Sequence, residues 1–448
     1  MKSIGKLKTY KSSEITKSRV SIGFECMDRG LINPDKCYVP LAESGIKYAR
    51  VQTGWALCEK EKGKYDWTWL DGIVNSLLDG GVIPWFNLTY GNPLYMHDVD
   101  LSVNATCVGC APTLYGEETL NAWLNFTKAL VEHYKGRVTH YEIWNEPDCP
   151  QFWWPHMPNG KEYAELVTLT AKVIKATDPT IKTGGCTSSI ESRDFLYDLA
   201  TNIDPEDIDF LCYHTYSLRP EKFDDIIRSI MAMFKENGLG HVEFWQGESG
   251  CPSYFPPNHW LNNKREGNER TQAAWIVRRL FLDLMVGSTM TSYFEIADLW
   301  EKPYQKAREV VHKPAAHGIL NGLTYTKKHA YYVISRLATV LSGDIETTEK
   351  AFNVTDKVDD GERMIKFSFT RNGNDILGYY KPYYVEDLIE NRFDAEIDLA
   401  NAGIVEPVII DPLSGDVYEC ETENGVIKNA PIGYYPMLVC NKDAFVIE

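Results

Sequence analysis

Eight short runs of β-branched and aromatic residues, separated by amphipathic stretches, occupy the chain up to about residue 342. The runs that predict strands are Val20–Glu25, Ile46–Gln52, Val82–Leu88, Val138–Trp144, Ile181–Cys186, Asp209–His214, Val242–Gly247 and Met290–Ile296. The stretches that predict helices are Glu117–Tyr134, Glu162–Ala176, Arg270–Val286, Lys327–Leu341 and, more weakly, Asn33–Ser44. Eight strand–helix units in succession predict an α/β fold, a (β/α)8 TIM barrel over residues 18–342.

After residue 343 the pattern changes to short β-type runs between frequent turn signals such as Asp359-Asp360-Gly361 and Glu423-Asn424-Gly425. About 100 residues of this kind predict a C-terminal antiparallel β-sandwich domain over residues 343–448. Residues 1–17, in particular Lys8–Thr16, have no place in the barrel and are a candidate extra strand for that sandwich.

The formal net charge of −17 argues against nucleic acid or an anionic membrane as a partner. No apolar run is long enough to span a membrane, and residues 1–6 contain no apolar leader segment. With eleven cysteines in no small-scaffold spacing, these features favour a cytoplasmic protein with free thiols, although a secreted chain without its leader would look the same. The oligomeric state stays open.

Two glutamates occupy matching positions, each at the end of a strand-like run and just before a residue that breaks the run. Glu146 ends Tyr141-Glu142-Ile143-Trp144-Asn145 and precedes Pro147, and Glu248 ends Phe244-Trp245-Gln246-Gly247 and is followed by Ser249-Gly250. Far apart in the chain, they converge only if a barrel brings its fourth and seventh strands to one mouth. Two carboxylates placed in this way can perform acid, base or nucleophile chemistry on a sugar acetal.

The tract Trp144-Asn145-Glu146-Pro147, together with Glu248 on the seventh strand, resembles clan A of the glycoside hydrolases. Within the clan the chain looks most like family 39, the β-xylosidase and α-iduronidase family. The resemblance implies a retaining hydrolase of β-linked glycosides in which Glu146 is the general acid/base and Glu248 the nucleophile. Asn145 would then bind the 2-hydroxyl group of the sugar at the cleavage point.

The same resemblance implies roles for four further residues. Arg50 would pair with the nucleophile, Tyr216 would donate a hydrogen bond to it, and His214 would line the sugar subsite. Trp300 would form an aromatic floor under the reacting sugar. The alternatives are an ordinary barrel-lining ion pair for Arg50 and a satisfied core network for His214 and Tyr216. Three strand-end residues are candidates for the sugar pocket by position, namely Trp85, Asn87 and Glu25.

Neither a cofactor nor a metal is required by this chemistry. Cys107 and Cys110 have metal-ligand spacing and, with Cys149 and either Cys37 or Cys58, suggest a structural zinc site, but one such pair is weak evidence. Free thiols or a single disulfide are the favoured interpretation.

The expected partner is an oligosaccharide or glycoside substrate, cleaved from chain ends in a β-xylosidase-like manner. The alternatives are an endo-acting β-glycanase on the same scaffold and a non-catalytic carbohydrate-binding barrel.

Overall fold

The computed structural model describes residues 1–102, 104–255, 267–299, 315–399 and 402–448. The strands are β1 Lys2–Lys6, β2 Val20–Gly23, β3 Tyr48–Gln52, β4 Glu59–Glu61, β5 Lys64–Tyr65, β6 Ile83–Leu88, β7 His140–Ile143, β8 Lys182–Thr187, β9 Phe210–Tyr213, β10 Glu243–Ser249, β11 Met290–Tyr293, β12 Ile345–Thr348, β13 Asn353–Thr355, β14 Ile365–Arg371, β15 Asn374–Tyr380, β16 Arg392–Asp398, β17 Pro407–Ile410, β18 Asp416–Glu419, β19 Thr422–Glu423, β20 Val426–Ile432 and β21 Met437–Asn441. The α-helices are α1 Tyr38–Glu43, α2 Trp55–Cys58, α3 Thr68–Asp79, α4 Glu117–Tyr134, α5 Gly160–Thr177, α6 Arg193–Asn202, α7 Asp224–Glu236, α8 Glu269–Val286 and α9 His329–Val340. No helix in these ranges is long and apolar enough to cross a membrane.

A closed barrel of eight parallel strands forms the larger part of the molecule, in the order β2, β3, β6, β7, β8, β9, β10, β11. Each of the eight predicted segments supplies one of these strands, so the predicted TIM barrel is confirmed. Large side chains fill its interior, where the Phe210 and Trp245 rings stack with centroids 4.0 Å apart. Gly184 makes room for this stack, because a Cβ atom there would lie 2.1 Å from the Phe210 ring. The barrel is therefore closed below its mouth, and chemistry is confined to the carboxyl ends of the strands.

Two antiparallel sheets form the C-terminal part, as predicted. One has seven strands in the order β1, β18, β17, β21, β15, β14, β12, and the other has four in the order β13, β16, β20, β19. The strand contributed from the N-terminal segment is β1, which pairs with β18 and lies before the expected Lys8–Thr16. The domain limits at 18–342 and 343–448 stay a prediction.

Helix α8 lies between the barrel and the C-terminal sheets and is buried around most of its circumference. Phe281 of this helix packs on Phe367 of β14, with ring centroids 5.1 Å apart. Arg278 donates to both carboxylate oxygens of Glu221 at 2.6 Å and to the backbone oxygen of Tyr383 at 2.6 Å. Apolar contact and the hydrogen bond from Arg278 to Tyr383 thus join the C-terminal part to the barrel.

Candidate active site

Glu146 and Glu248 meet at the mouth of the barrel. Glu146 follows β7, the fourth barrel strand, and Glu248 lies near the end of β10, the seventh. One carboxylate oxygen of each and a ring nitrogen of His214 all lie within 4.8 Å of one another. The two glutamate side chains are only 13% and 12% exposed. Retaining glycosidases hold their two carboxyl groups about 5–5.5 Å apart, whereas inverting ones leave room for a water between them. The short approach corresponds to the retaining arrangement.

Arg50, on β3, is fully buried and donates hydrogen bonds to four side chains of the site. Its Nη1 donates to Glu248 Oε2 at 2.9 Å and to Glu25 Oε2 at 2.8 Å. Its Nε and Nη2 donate to the two oxygens of Glu142 at 2.7 and 2.8 Å, and Nη2 also donates to Asn145 Oδ1 at 2.8 Å. Because Asn145 Oδ1 accepts this bond, its Nδ2 is the end of the amide that can donate to a ligand in the mouth.

His214 and Tyr216, which follow β9, contact the two glutamates. His214 Nδ1 lies 3.0 Å from Glu146 Oε1 and 3.6 Å from Glu248 Oε2, and Tyr216 Oη donates to Glu248 Oε1 at 2.8 Å. Burial opposes the positive charge of His214, but the neighbouring Cys186 and the Glu248 carboxylate outweigh burial and raise the pKa of His214 well above the usual value. A protonated His214 therefore has an Nδ1–H group that can donate a hydrogen bond to either glutamate.

The electrostatic surroundings of Glu146 favour its protonated form. Burial raises the pKa of Glu146, and the carboxylates of Glu248 and Asp148 raise it further, against the opposing effect of His214. A raised pKa favours the protonated carboxyl group that a general acid requires.

The backbone around Glu146 is strained. Trp144 has φ +70° and Glu146 has φ +49°, values that non-glycine residues rarely adopt. Such residues cost on the order of 1–3 kcal/mol each and persist where surrounding contacts hold them. Here Trp144 Nε1 donates to the Phe152 backbone oxygen at 2.7 Å, and the Trp144 ring packs edge-on against Tyr90. These two contacts of Trp144 therefore hold the backbone that carries Glu146 in place.

The structure brings seven of the ten predicted site residues into one connected network. They are Glu25, Arg50, Asn145, Glu146, His214, Tyr216 and Glu248. Asn87 lies behind it, where its Nδ2 donates to the Trp144 backbone oxygen at 2.7 Å. Trp85 lies inside the barrel below Arg50, buried, with Nε1 donating to Ser21 Oγ at 3.0 Å. Trp300 lies outside the described residues.

Two residues near the mouth were not singled out from the sequence. Glu142 is fully buried, and Arg50 and His214 lower its pKa although burial opposes its charge. The available signal was a carboxylate within an apolar strand, two residues before Trp144. The second is Phe294, directly after β11, whose ring packs edge-on against Tyr216 with centroids 6.5 Å apart. Its signal was an aromatic residue at the end of the eighth barrel strand.

The eleven cysteines, Cys107 and Cys110 included, are free thiols in the structure. The described side chains that approach one another closely enough to be metal ligands belong to the site network itself, in the groups Glu142, Cys186, His214 and Glu146, His214, Glu248. Arg50 already supplies a positive charge to both groups.

Fold and site together define a class of protein, the TIM barrels with a pair of facing carboxylates at the ends of the fourth and seventh strands. The family model described as glycosyl hydrolases family 39 matches residues 35–337. The chain belongs to this family.

Curated relatives include two β-xylosidases. The one from Geobacillus stearothermophilus is 29% identical over 223 residues, which are 43% of this chain and 42% of that protein. The one from Caldicellulosiruptor saccharolyticus is 25% identical over 320 residues, 66% of this chain and 63% of that protein. The chain thus aligns with less than two thirds of the length of either relative.

Solved structures share the fold across nearly the whole chain. A family 39 β-xylosidase from Caulobacter crescentus has a TM-score of 0.56 at 18% identity, with 91% of this chain and 84% of that chain covered. A family 39 enzyme from Xanthomonas axonopodis pv. citri has a TM-score of 0.60 at 17% identity, with 94% and 93% covered. At these identities the likeness concerns the fold.

Proposed function

We propose that this protein is a retaining β-glycosidase that removes sugar residues, xylose first among the candidates, from the ends of β-linked glycosides. The observation that carries the proposal is the approach of Glu146 and Glu248 to within 4.8 Å, with Glu146 in surroundings that raise its pKa and Glu248 held by hydrogen bonds from Arg50 and Tyr216. Environments that treat two neighbouring carboxyl groups differently give them different chemical roles.

In the first step Glu248 attacks the anomeric carbon and forms a glycosyl ester. The bond to the leaving-group oxygen breaks, and Glu146 delivers its proton to that oxygen. In the second step Glu146, now a carboxylate, takes a proton from water while the water oxygen attacks the anomeric carbon. The ester breaks, Glu248 is released, and two inversions leave the anomeric configuration unchanged.

The neighbouring side chains serve these two steps. Arg50 and Tyr216 each donate to a different oxygen of Glu248, which fixes the direction of attack. Asn145 Nδ2 is placed to donate to the 2-hydroxyl group, a contact that strengthens in the transition state. His214 Nδ1 stands nearer to Glu146 than to Glu248, so it can stabilise the Glu146 carboxylate once its proton has left.

Xylose is the leading sugar because both curated relatives described above are β-xylosidases. Cleavage at chain ends, rather than within chains, is part of the same proposal. We also propose a cytoplasmic location, which the eleven free thiols support, since thiols persist in reducing compartments.

Hydrolysis of a panel of 4-nitrophenyl β-glycosides (xyloside, glucoside, galactoside and glucuronide) by wild type, Glu146→Ala and Glu248→Ala tests the proposal. We expect wild type to prefer one of them and Glu248→Ala to lose at least about 10⁴-fold in kcat, since the nucleophile is gone. Glu146→Ala should retain activity on 2,4-dinitrophenyl glycosides, which need no acid, and should lose the basic limb of the pH profile.

Azide identifies the two roles by product. It should give a β-glycosyl azide with Glu146→Ala and an α-glycosyl azide with Glu248→Ala. Substantial activity in Glu248→Ala without azide would overturn its role as nucleophile. Internal cuts in xylo-oligosaccharides would favour the endo-acting alternative, and a wild type that binds but cleaves none of these substrates would favour the carbohydrate-binding barrel.

A further inference from the structure

Glu146 is the first residue of a tight turn, Glu146-Pro147-Asp148-Cys149, in which the Cys149 backbone N–H donates to the Glu146 oxygen at 3.0 Å. The turn begins from the strained φ of +49° at Glu146. The Glu146 backbone N–H meets, within the described part of the chain, the Cys186 sulfur at 3.4 Å, a weak acceptor. A turn with this backbone needs a firm attachment to the rest of the barrel.

Asp148, the third residue of the turn, provides that attachment. Its carboxylate accepts five hydrogen bonds from the end of β8 and the loop that follows it. The donors are Thr187 Oγ1 at 2.8 Å, Ser188 N at 2.5 Å, Ser188 Oγ at 3.0 Å, Ser189 N at 3.3 Å and Ser192 Oγ at 2.5 Å. The fourth and fifth barrel strands are thereby tied together directly beside Glu146.

The charge of Asp148 is not neutralised by a cation, because among the described residues it forms no ion pair and its donors are hydroxyl and backbone N–H groups. Neutral donors of this kind carry no net positive charge that would compensate the charge of a carboxylate. The charge of Asp148 is one of the causes that raise the pKa of Glu146.

We propose that Asp148 is a positioning residue of the reaction, which holds the Glu146 turn against the β8 loop and places an uncompensated negative charge beside the acid. The inference rests on the role of Glu146 proposed above. It assigns Asp148 two separable effects, one on the geometry of Glu146 and one on its protonation.

Two substitutions separate the effects. In Asp148→Asn the amide oxygen can keep the bond from Ser188 N, and two of the hydroxyl groups of Thr187, Ser188 and Ser192 can turn to accept from the two amide hydrogens. The bond from Ser189 N is lost, so most of the anchorage is kept and the charge is lost. Asp148→Ala loses both. Ser192→Ala removes a single anchor. Asp178→Ala is the matched control, because Asp178 caps a turn at the opposite end of β8, where it accepts from Thr180 N and Oγ1.

The experiment measures kcat/KM against pH for each variant, on β-glycosides of the sugar that wild type hydrolyses, with leaving groups from dinitrophenol to a simple alcohol. Asp148→Ala should lose about 10- to 100-fold in kcat on poor leaving groups and much less on dinitrophenyl glycosides, since only the former need a well-placed acid. Asp148→Asn should keep most of the activity, and its basic limb should move to lower pH, because removal of a negative charge lowers the pKa of Glu146.

Equal losses over all leaving groups in Asp148→Ala, or an Asp148→Asn profile with an unmoved basic limb, would overturn the inference while leaving the proposed function intact. Wild-type inactivity on every substrate would overturn the proposed function instead. If thermal unfolding shows that Asp148→Ala does not fold, Asp148→Asn and Ser192→Ala decide, and Ser192→Ala should show a weaker form of the same dependence on the leaving group.

Discussion

Glu142 shows how strongly a single side chain at the mouth depends on its partners. It is fully buried and shares two short hydrogen bonds with Arg50, which also holds Glu248. Glu142→Gln should therefore destabilise the protein by about 1–3 kcal/mol, since the amide can accept only one of the two Arg50 hydrogen bonds and leaves a buried N–H group of Arg50 without that acceptor. It should also lower kcat, because Arg50 is then free to shift relative to Glu248.

The matched control is Glu221→Gln, which breaks the similarly buried, two-bond pair with Arg278 away from the mouth. It should cost similar stability, measured by urea unfolding, and leave kcat unchanged.

The pKa of Glu142 is lowered in the folded state. Its contribution to stability is therefore complete at neutral pH and is lost as pH falls through that lowered value. A difference between wild type and Glu142→Gln that grows on acidification would contradict this account.

Single residues differ in how far the sequence reveals them. Glu146, Asn145 and Glu248 lie where a strand-like run meets a breaker, which is a local signal. Glu142 has no such signal, because it reaches Arg50 only in the closed barrel, where β6 lies between β3 and β7. Trp85 lies in the middle of its strand-like run, and only the closed barrel shows that it lies below Arg50 rather than in the mouth.

One helix-borne side chain links two barrel strands beneath Glu146. Tyr163, on α5, donates from Oη to the Ile143 oxygen at 2.7 Å and accepts from Cys186 N at 2.7 Å, so it closes the gap between β7 and β8. Tyr163→Phe should destabilise the protein by about 1–3 kcal/mol, since it leaves two buried backbone groups without partners. Thermal unfolding measures the loss, and kcat should fall because Glu146 follows β7.

Tyr141→Phe is the control for that substitution. The Tyr141 hydroxyl is equally buried and has no hydrogen-bond partner among the residues that the structure describes, so its removal should be close to neutral. Equal effects of the two substitutions would show that the hydrogen bonds of Tyr163 do not stabilise the joint between the strands.

Elements were predictable where one periodicity ran without interruption. Helix α4 has the predicted bounds because its apolar residues keep the helical period along Glu117–Tyr134 and form a buried face. Strand β20 cannot be read from the sequence pattern, because Asn429, at φ +53°, and Pro431 interrupt the alternation of a strand. Strand β18 has only four residues, one of them fully buried, and forms because β17 and β1 flank it.

At the scale of the whole molecule, the first strand and the last residues of the chain are joined. Lys6 N donates to the Glu448 oxygen at 2.7 Å, and a Cβ atom on Gly5, at φ +145°, would lie 2.5 Å from that oxygen. Gly5→Ala should therefore destabilise the protein by about 1–3 kcal/mol through forced backbone movement. Activity should be unchanged, because β1 supplies no residue to the network around Glu146.

Gly72→Ala, in helix α3 with open space around the new Cβ, is the control and should be neutral or slightly stabilising. Differential scanning calorimetry and kcat/KM together test the prediction. An unchanged melting temperature in Gly5→Ala would show that this junction adds nothing to the stability of the C-terminal sheets.

The pairing of β1 with β18 has a consequence for the nascent chain. A ribosome releases Lys2–Lys6 long before Asp416–Glu419, roughly 20–80 s earlier at ordinary elongation rates. During that interval the barrel segments can fold, but β1 must wait as an unpaired strand. Its sequence, Lys2-Ser3-Ile4-Gly5-Lys6, suits this interval, because a lysine at each end and a glycine between them discourage pairing with strands of other chains.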